Sequence, residues 1–169
     1  MGIASTLGSG EDIKAAMKIL SQDLVSMRAK ASVQTQKDSY LVYTKTRSGE
    51  LIGCAILHID HIWKRVNIEM FAVDTEWRGN GFASMMVHLV QCQMLHFVKY
   101  DLFVCAALDA VPFWSNTKYA FCFAHKNILE EHEIADEKTG NTRHLIWYGS
   151  AVQARSQLLK CFVECSAEQ

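Results

Sequence analysis

What this chain lacks narrows its function before any motif is read. No apolar run approaches the roughly 20 residues that a bilayer-spanning helix needs. No charged n-region followed by an apolar stretch opens the chain, so a secretory signal is not expected. Cysteines at 54, 92, 105, 122, 161 and 165 form no CxxC pair. Cys54, Cys105 and Cys122 lie in apolar, strand-like runs, so buried reduced thiols in a cytoplasmic or nuclear protein are expected rather than disulfides or zinc. His58 and His61 have no further ligands beside them and read as one buried and one exposed imidazole, with no metal. Basic excess is absent too: 17 Lys and Arg face 18 Asp and Glu, for a net charge of -1. Direct nucleic-acid binding is therefore not expected, while basic proteins or peptides stay open as substrates.

Internal repeats and low-complexity linkers are likewise missing. The 169 residues, 50% hydrophobic and 21% charged, suit one soluble domain with one sizeable core. We place that domain at residues 11–165, after a flexible lead-in at 1–10 containing Gly8-Ser9-Gly10. Met1-Gly2-Ile3-Ala4-Ser5-Thr6 fits the short N-myristoylation pattern. Membrane contact is expected only through that lipid.

Periodicity supplies the elements. Ile13, Met17, Leu20, Leu24 and Met27 recur at spacings of three and four, predicting a helix from Glu11 to Ala31. Tyr40 to Arg47 and Leu51 to His61, joined by Ser48-Gly49-Glu50, read as a hairpin. Val66 to Val73 reads as a strand, with Val66, Ile68, Met70 and Ala72 on one side and Asn67, Glu69, Phe71 and Val73 on the other. A helix from Phe82 to Phe97 follows, then a central buried strand from Tyr100 to Ala107. Pro112 suits the first turn of a short helix between Asp109 and Lys118. Tyr119 to His125 is read as a strand, Glu130 to Asn141 as a loop or hairpin arm, and His144 to Tyr148 as a last strand. Ala151 to Cys165 reads as a C-terminal helix. The class is α+β around one sheet.

The informative segment runs from Met70 to Ala83: strand, glycine-bearing turn, helix start. Orphan amides and the positive end of a helix dipole meet there. Gly79 and Gly81 let the main chain take positive φ and approach a ligand closely. Arg78 adds positive charge. Such a turn suits a pyrophosphate. Neither GxxxxGK followed by Ser or Thr nor GxGxxG occurs, which argues against nucleoside triphosphates and dinucleotides.

Arg78-Gly79-Asn80-Gly81-Phe82-Ala83 resembles the acetyl-CoA signature of the GCN5-related N-acetyltransferase (GNAT) superfamily, (R/Q)-x-x-G-x-(G/A), with Arg78, Gly81 and Ala83 at the specified positions. Ala110-Val111-Pro112-Phe113-Trp114 and Tyr119-Ala120-Phe121 are similar to the helix and strand that close the family's cofactor site. The resemblance spans roughly Leu41 to Tyr148. It implies a mixed, mostly antiparallel sheet flanked by helices, with a splayed central cleft, and an acetyl-CoA-dependent N-acetyltransferase acting on an amine of a protein or a small molecule. A CoA-binding or protein-interaction module is the alternative. It also leaves room for a homodimer.

By the same resemblance, main-chain groups of Phe71, Ala72 and Val73 would hold the pantetheine arm. The amides from Arg78 through Gly79, Asn80, Gly81 and Phe82 to Ala83 would bind the diphosphate, and Trp114 would border the cofactor. Val73 N–H would polarise the thioester oxygen. Amine attack needs a base. Glu69, the one carboxylate within its strand, is expected to be half-buried in the cleft and to serve, although the strand Glu of the protein-lysine branch lies nearer Asn67. An ion pair of Glu69 with Lys64 or Arg65 is the plainer reading, and His58 and Asp60 are second-line bases. Many members place a Tyr in the short helix as the acid; Trp114 stands there in this chain, leaving Tyr119, Ser115 or solvent. The usual Gly-Phe after that helix is replaced by Lys118-Tyr119-Ala120-Phe121.

Overall fold

A computed structural model describes residues 14–16, 18–19, 38–125, 128 and 142–147. The lead-in, the lipidation pattern, the arm expected at Glu130 to Asn141 and the helix expected at Ala151 to Cys165 lie outside the described residues. Of the helix expected from Glu11, Lys14 to Ala16, Lys18 and Ile19 are described, and all are helical.

Among the described residues six strands form one sheet: β1 (Ser39–Lys45), β2 (Leu51–Asp60), β3 (Arg65–Val73), β4 (Asp101–Ala107), β5 (Cys122–Phe123) and β6 (Thr142–Trp147), in the order β1-β2-β3-β4-β6-β5. Neighbours run antiparallel except β3 and β4, which are parallel. A parallel pair needs a crossover. Helix α1 (Phe82–Gln93) supplies it, extended by a 3₁₀ turn at Met94–His96. The short helix α2 (Val111–Trp114) follows β4. Pro112 sits in its first turn, where a missing N–H costs no helical bond.

Each face of the sheet has its own core. Met86, Val87 and Val90 of α1 are fully buried against Val42, Leu57, Ile59, Val66 and Ile68. Burying side chains of this size contributes about 1.5–3 kcal/mol each. On the other face Ala16 and Ile19 pack with Leu41, Cys54, Ile56, Met70 and Ala72. Gly53 lets β2 and β3 close up: a Cβ there would lie 3.0 Å from the Ala72 carbonyl oxygen and 3.2 Å from Val73 Cγ2.

Strict alternation along β3 does not hold. Leu57 pairs with Ile68 and Ile56 with Met70, which leaves Glu69 as an extra residue, a β-bulge. Val66 and Ile68 therefore join the α1-side core, and Met70 and Ala72 join the opposite one. The expectation that all four share a side fails at this bulge, since one unpaired residue reverses the faces of everything after it.

Shorter elements differ too. Tyr119 ends a 3₁₀ turn (Thr117–Tyr119) instead of opening a strand, and β5 holds only two residues. Cys54 is buried as expected, but Cys105 and Cys122 are exposed and Cys92 is half-buried.

Candidate active site

The site begins where two strands part. β3 and β4 pair from Arg65 with Asp101 to Ile68 with Val104, and no further. Beyond that point β4 continues against β6, through Cys105 with His144 and Ala106 with Arg143. The bulge at Glu69 falls at this parting. Among the described residues no strand pairs with the β4-side edge of β3 from Glu69 to Val73.

Main-chain polarity along that edge follows from one hydrogen bond. Asp74 N–H donates to Ile52 O at 2.9 Å, so the N–H of Asp74 turns toward β2, while its carbonyl accepts from Trp77 N–H. Peptide groups alternate along a strand. Those of Val73 and Phe71 therefore face the gap, whereas Ala72 turns toward β2. Of the three residues expected to hold a pantetheine arm through the main chain, Phe71 and Val73 have the orientation and Ala72 does not.

The loop after β3 is braced internally. Asp74 accepts from Glu76 N–H at 3.1 Å and caps the 3₁₀ turn Thr75–Trp77. Trp77 and Phe82 stack edge to face, with ring centres 5.4 Å apart. Arg78 Nε donates to Val73 O at 2.9 Å, and Asn80 Nδ2 to Arg78 O at 3.3 Å. Gly79 and Gly81 take φ of 82° and 79°, the left-handed region that favours glycine. Gly81 caps α1, whose first bond runs from Met85 N–H to Gly81 O at 3.1 Å. The amides of Phe82, Ala83 and Ser84 precede that bond and have no helical acceptor. Gly81 has no side chain with which to cap them, and no acidic residue stands in the first turn. A Cβ added at Gly79 or Gly81 would meet nothing within 4 Å, so the space over the turn is open. Uncapped amides, an uncompensated dipole end and open space fit the diphosphate of coenzyme A.

The expected acid–base groups are placed unevenly. Glu69 is exposed, not half-buried, because the bulge carries it out of the alternation. Its expected ion-pair partner Arg65 instead holds Asp60 at 3.3 Å. Asp60 also accepts the N–H groups of Ile62 and Trp63, at the end of β2 away from the gap. His58 lies on β2 between Ser39 and Asn67, with Nδ1 buried and unpartnered among the described residues. His61 is exposed and meets the Tyr100 hydroxyl at 3.0 Å. Among the described residues no His, Cys, Asp and Glu cluster could hold a metal.

Trp114 is 4% exposed and belongs to the core, edge-on to Phe71, Phe113 and Phe121 at 5.0–5.5 Å. Ser115 donates its hydroxyl to Val111 O at 2.8 Å. Tyr119 is fully buried, and its hydroxyl meets Ser84 Oγ at 2.6 Å, in the first turn of α1. Its carbonyl accepts from Gln91 Nε2 at 2.7 Å, and His88 stacks on its ring with centres 5.8 Å apart. Ser84, His88 and Gln91 escaped the sequence reading. Their spacing of four and then three, on a helix that is otherwise apolar up to Cys92, marks one polar row and was the available signal. Ala120 takes φ of 56°, the left-handed conformation that the Gly of the usual Gly-Phe pair would adopt without strain.

Burial pushes the Cys54 thiol from 9.0 up to about 12, which removes it as a nucleophile near neutral pH.

Comparison with known proteins gives the same picture. Solved structures with this fold include Tetrahymena GCN5, at 14% identity and a TM-score of 0.66, covering 84% of this chain and 94% of that one. The ribosomal-protein-S18-alanine N-acetyltransferase of Escherichia coli matches at 14% identity and a TM-score of 0.62, over 86% of this chain and 90% of that one. A GNAT family acetyltransferase of Elizabethkingia anophelis with acetyl-CoA bound matches at 17% identity and a TM-score of 0.53, over 76% of this chain and 85% of that one. No curated protein matches the sequence. The model of the acetyltransferase (GNAT) family matches residues 14–114, and this chain, an N-acetyltransferase, belongs to that family.

Proposed function

We propose that the chain transfers an acetyl group from acetyl-CoA to the amine of a protein lysine. The observation that carries this reading is the open edge of β3. Val73 N–H faces the gap where β4 departs, directly before the uncapped start of α1. The loop amides hold the diphosphate and the Phe71 main chain holds the pantetheine arm of the coenzyme, which supplies an acyl thioester.

Chain groups then act at defined atoms. Val73 N–H holds the negative charge that builds on the carbonyl oxygen. Glu69, at the parting of the strands, takes the ammonium proton of the acceptor directly or through water. No protein hydroxyl is required for the leaving thiolate, which protonates from solvent; Tyr119 and Ser115 have their hydroxyls in other hydrogen bonds. The exposure of Glu69 supports an acceptor carried on a long side chain at a protein surface.

The test is thiol release from acetyl-CoA with lysine peptides and with polyamines at matched amine concentration. We expect kcat/KM for the best peptide to exceed the best polyamine by at least about tenfold, an increment of roughly 1.4 kcal/mol. Preference for polyamines would move the acceptor to the small-molecule class. Stabilisation by acetyl-CoA with no release from either panel would favour a binding module.

A further inference from the structure

The Lys118 ammonium stands at the start of α1. Its Nζ donates to Ser84 Oγ at 2.9 Å and lies 4.8 Å from the centre of the Tyr119 ring. Ser84 is the third residue of α1, so this cation sits at the positive end of the helix dipole, an unfavourable place for it. Among the described residues no carboxylate lies within ion-pair distance of Lys118. The first turn of α1 contains no acidic residue either. Positive potential from the amides, the dipole and the ammonium thus accumulates at one spot without a compensating anion.

The arrangement is also held in place from several sides. The Tyr119 hydroxyl fixes Ser84 Oγ at 2.6 Å. Tyr119 is itself held by Gln91 and by the Phe113 ring, whose centre is 5.2 Å away. Asn116 Oδ1 accepts from Lys118 N–H at 3.1 Å and so anchors the main chain beneath the ammonium. Arg78, the cation expected from the loop motif, directs its Nε to Val73 O instead.

The geometry points to Lys118 as the side-chain cation that binds the diphosphate of coenzyme A, facing the main-chain amides of residues 78 to 83. Ser84 and Tyr119 act through it as positioning residues. This inference rests on the coenzyme reading above and adds what the loop motif does not contain. It makes the enzyme select a diphosphate-bearing acyl carrier over a bare pantetheine thioester.

The experiment compares wild type, Lys118→Met, which keeps the apolar stem, and Lys118→Arg, which keeps the charge. Affinities are measured calorimetrically for CoA and for dephospho-CoA, which lacks the 3′-phosphate. Turnover is measured with acetyl-CoA and with S-acetylpantetheine, which lacks the diphosphate. We expect Lys118→Met to weaken CoA and dephospho-CoA alike, by about fivefold to tenfold. Its kcat/KM for S-acetylpantetheine should stay at the wild-type value, and Lys118→Arg should recover most of the CoA affinity. Unchanged CoA affinity in Lys118→Met overturns the assignment. Loss with CoA but not with dephospho-CoA moves the contact to the 3′-phosphate and overturns it as well. An equal loss with S-acetylpantetheine would make the role structural. A wild-type protein that binds no CoA would instead sink the coenzyme reading itself, a result distinguishable from all three.

Discussion

Arg78 Nε donates to the carbonyl oxygen of Val73 at 2.9 Å, tying the glycine loop to the last residue of β3. The peptide groups of Val73 face the gap between β3 and β4. Its oxygen is thereby occupied, and its N–H is left toward the site expected for the thioester. The signature arginine in this chain is thus a clamp on the backbone as well as a source of charge.

Arg78→Ala should cost about 1–2 kcal/mol, since a partly buried carbonyl loses a donor from a charged group. Urea unfolding measures this, and acetyl-CoA affinity should fall in parallel as the loop loosens. Arg78→Lys should restore neither property, because an ammonium lacks the directed Nε–H. Full rescue by Lys would show that charge alone matters.

Gly81→Val tests the loop conformation. No atom lies within 4 Å of the added Cβ, so the penalty is conformational: a β-branched residue is held at φ of 79°. The cost is about 1–2 kcal/mol or more, or else the turn reorganises. The fold should persist by circular dichroism while CoA binding is lost. Wild-type affinity in this variant would refute the cradle.

Glu69→Gln removes the base and leaves the cradle intact. At pH 7 kcat should fall about a hundredfold, the lower end of what general-base catalysis supplies. The deficit should shrink as pH approaches the ordinary lysine value of about 10.4, where the acceptor sheds its own proton. Affinity for acetyl-CoA should not change. A constant deficit across pH would rule Glu69 out as the base.

Cys54 and the exposed thiols Cys105 and Cys122 should separate under iodoacetamide. In the native protein Cys105 and Cys122 should be modified and Cys54 protected. The folded state also keeps Cys54 protonated up to about 12, against 9.0 when unfolded. Between those values the folded chain binds the extra proton, so this contribution is complete below pH 9 and is lost as pH rises toward 12. Cys54→Ser should flatten that alkaline decline in denaturant titrations. An unchanged slope would mean that other groups dominate it.

Local pattern carried much of this fold. The Gly49 turn, the apolar run of β4 and the Arg78-to-Ala83 loop were legible because each follows from residue type and spacing. The bulge at Glu69 was not. It arises from pairing with β2 and reverses the faces of Met70 and Ala72, which alternation along one strand cannot reveal. Burial of Trp114 among Phe71, Phe113 and Phe121, and exposure of Cys105 and Cys122, likewise depend on which element covers which face. The Tyr119 hydroxyl could be nominated as an acid from its type. Its partner Ser84 lies 35 residues earlier and is found only in three dimensions.

Thermal unfolding against acetyl-CoA concentration tests the central claim most directly, because a ligand selective for the folded state stabilises it by mass action. Coenzyme binding in the cradle makes Tm keep rising with the logarithm of ligand concentration above Kd, corresponding to about 2.7 kcal/mol at a hundred times Kd. A Tm that does not move at millimolar acetyl-CoA would contradict it.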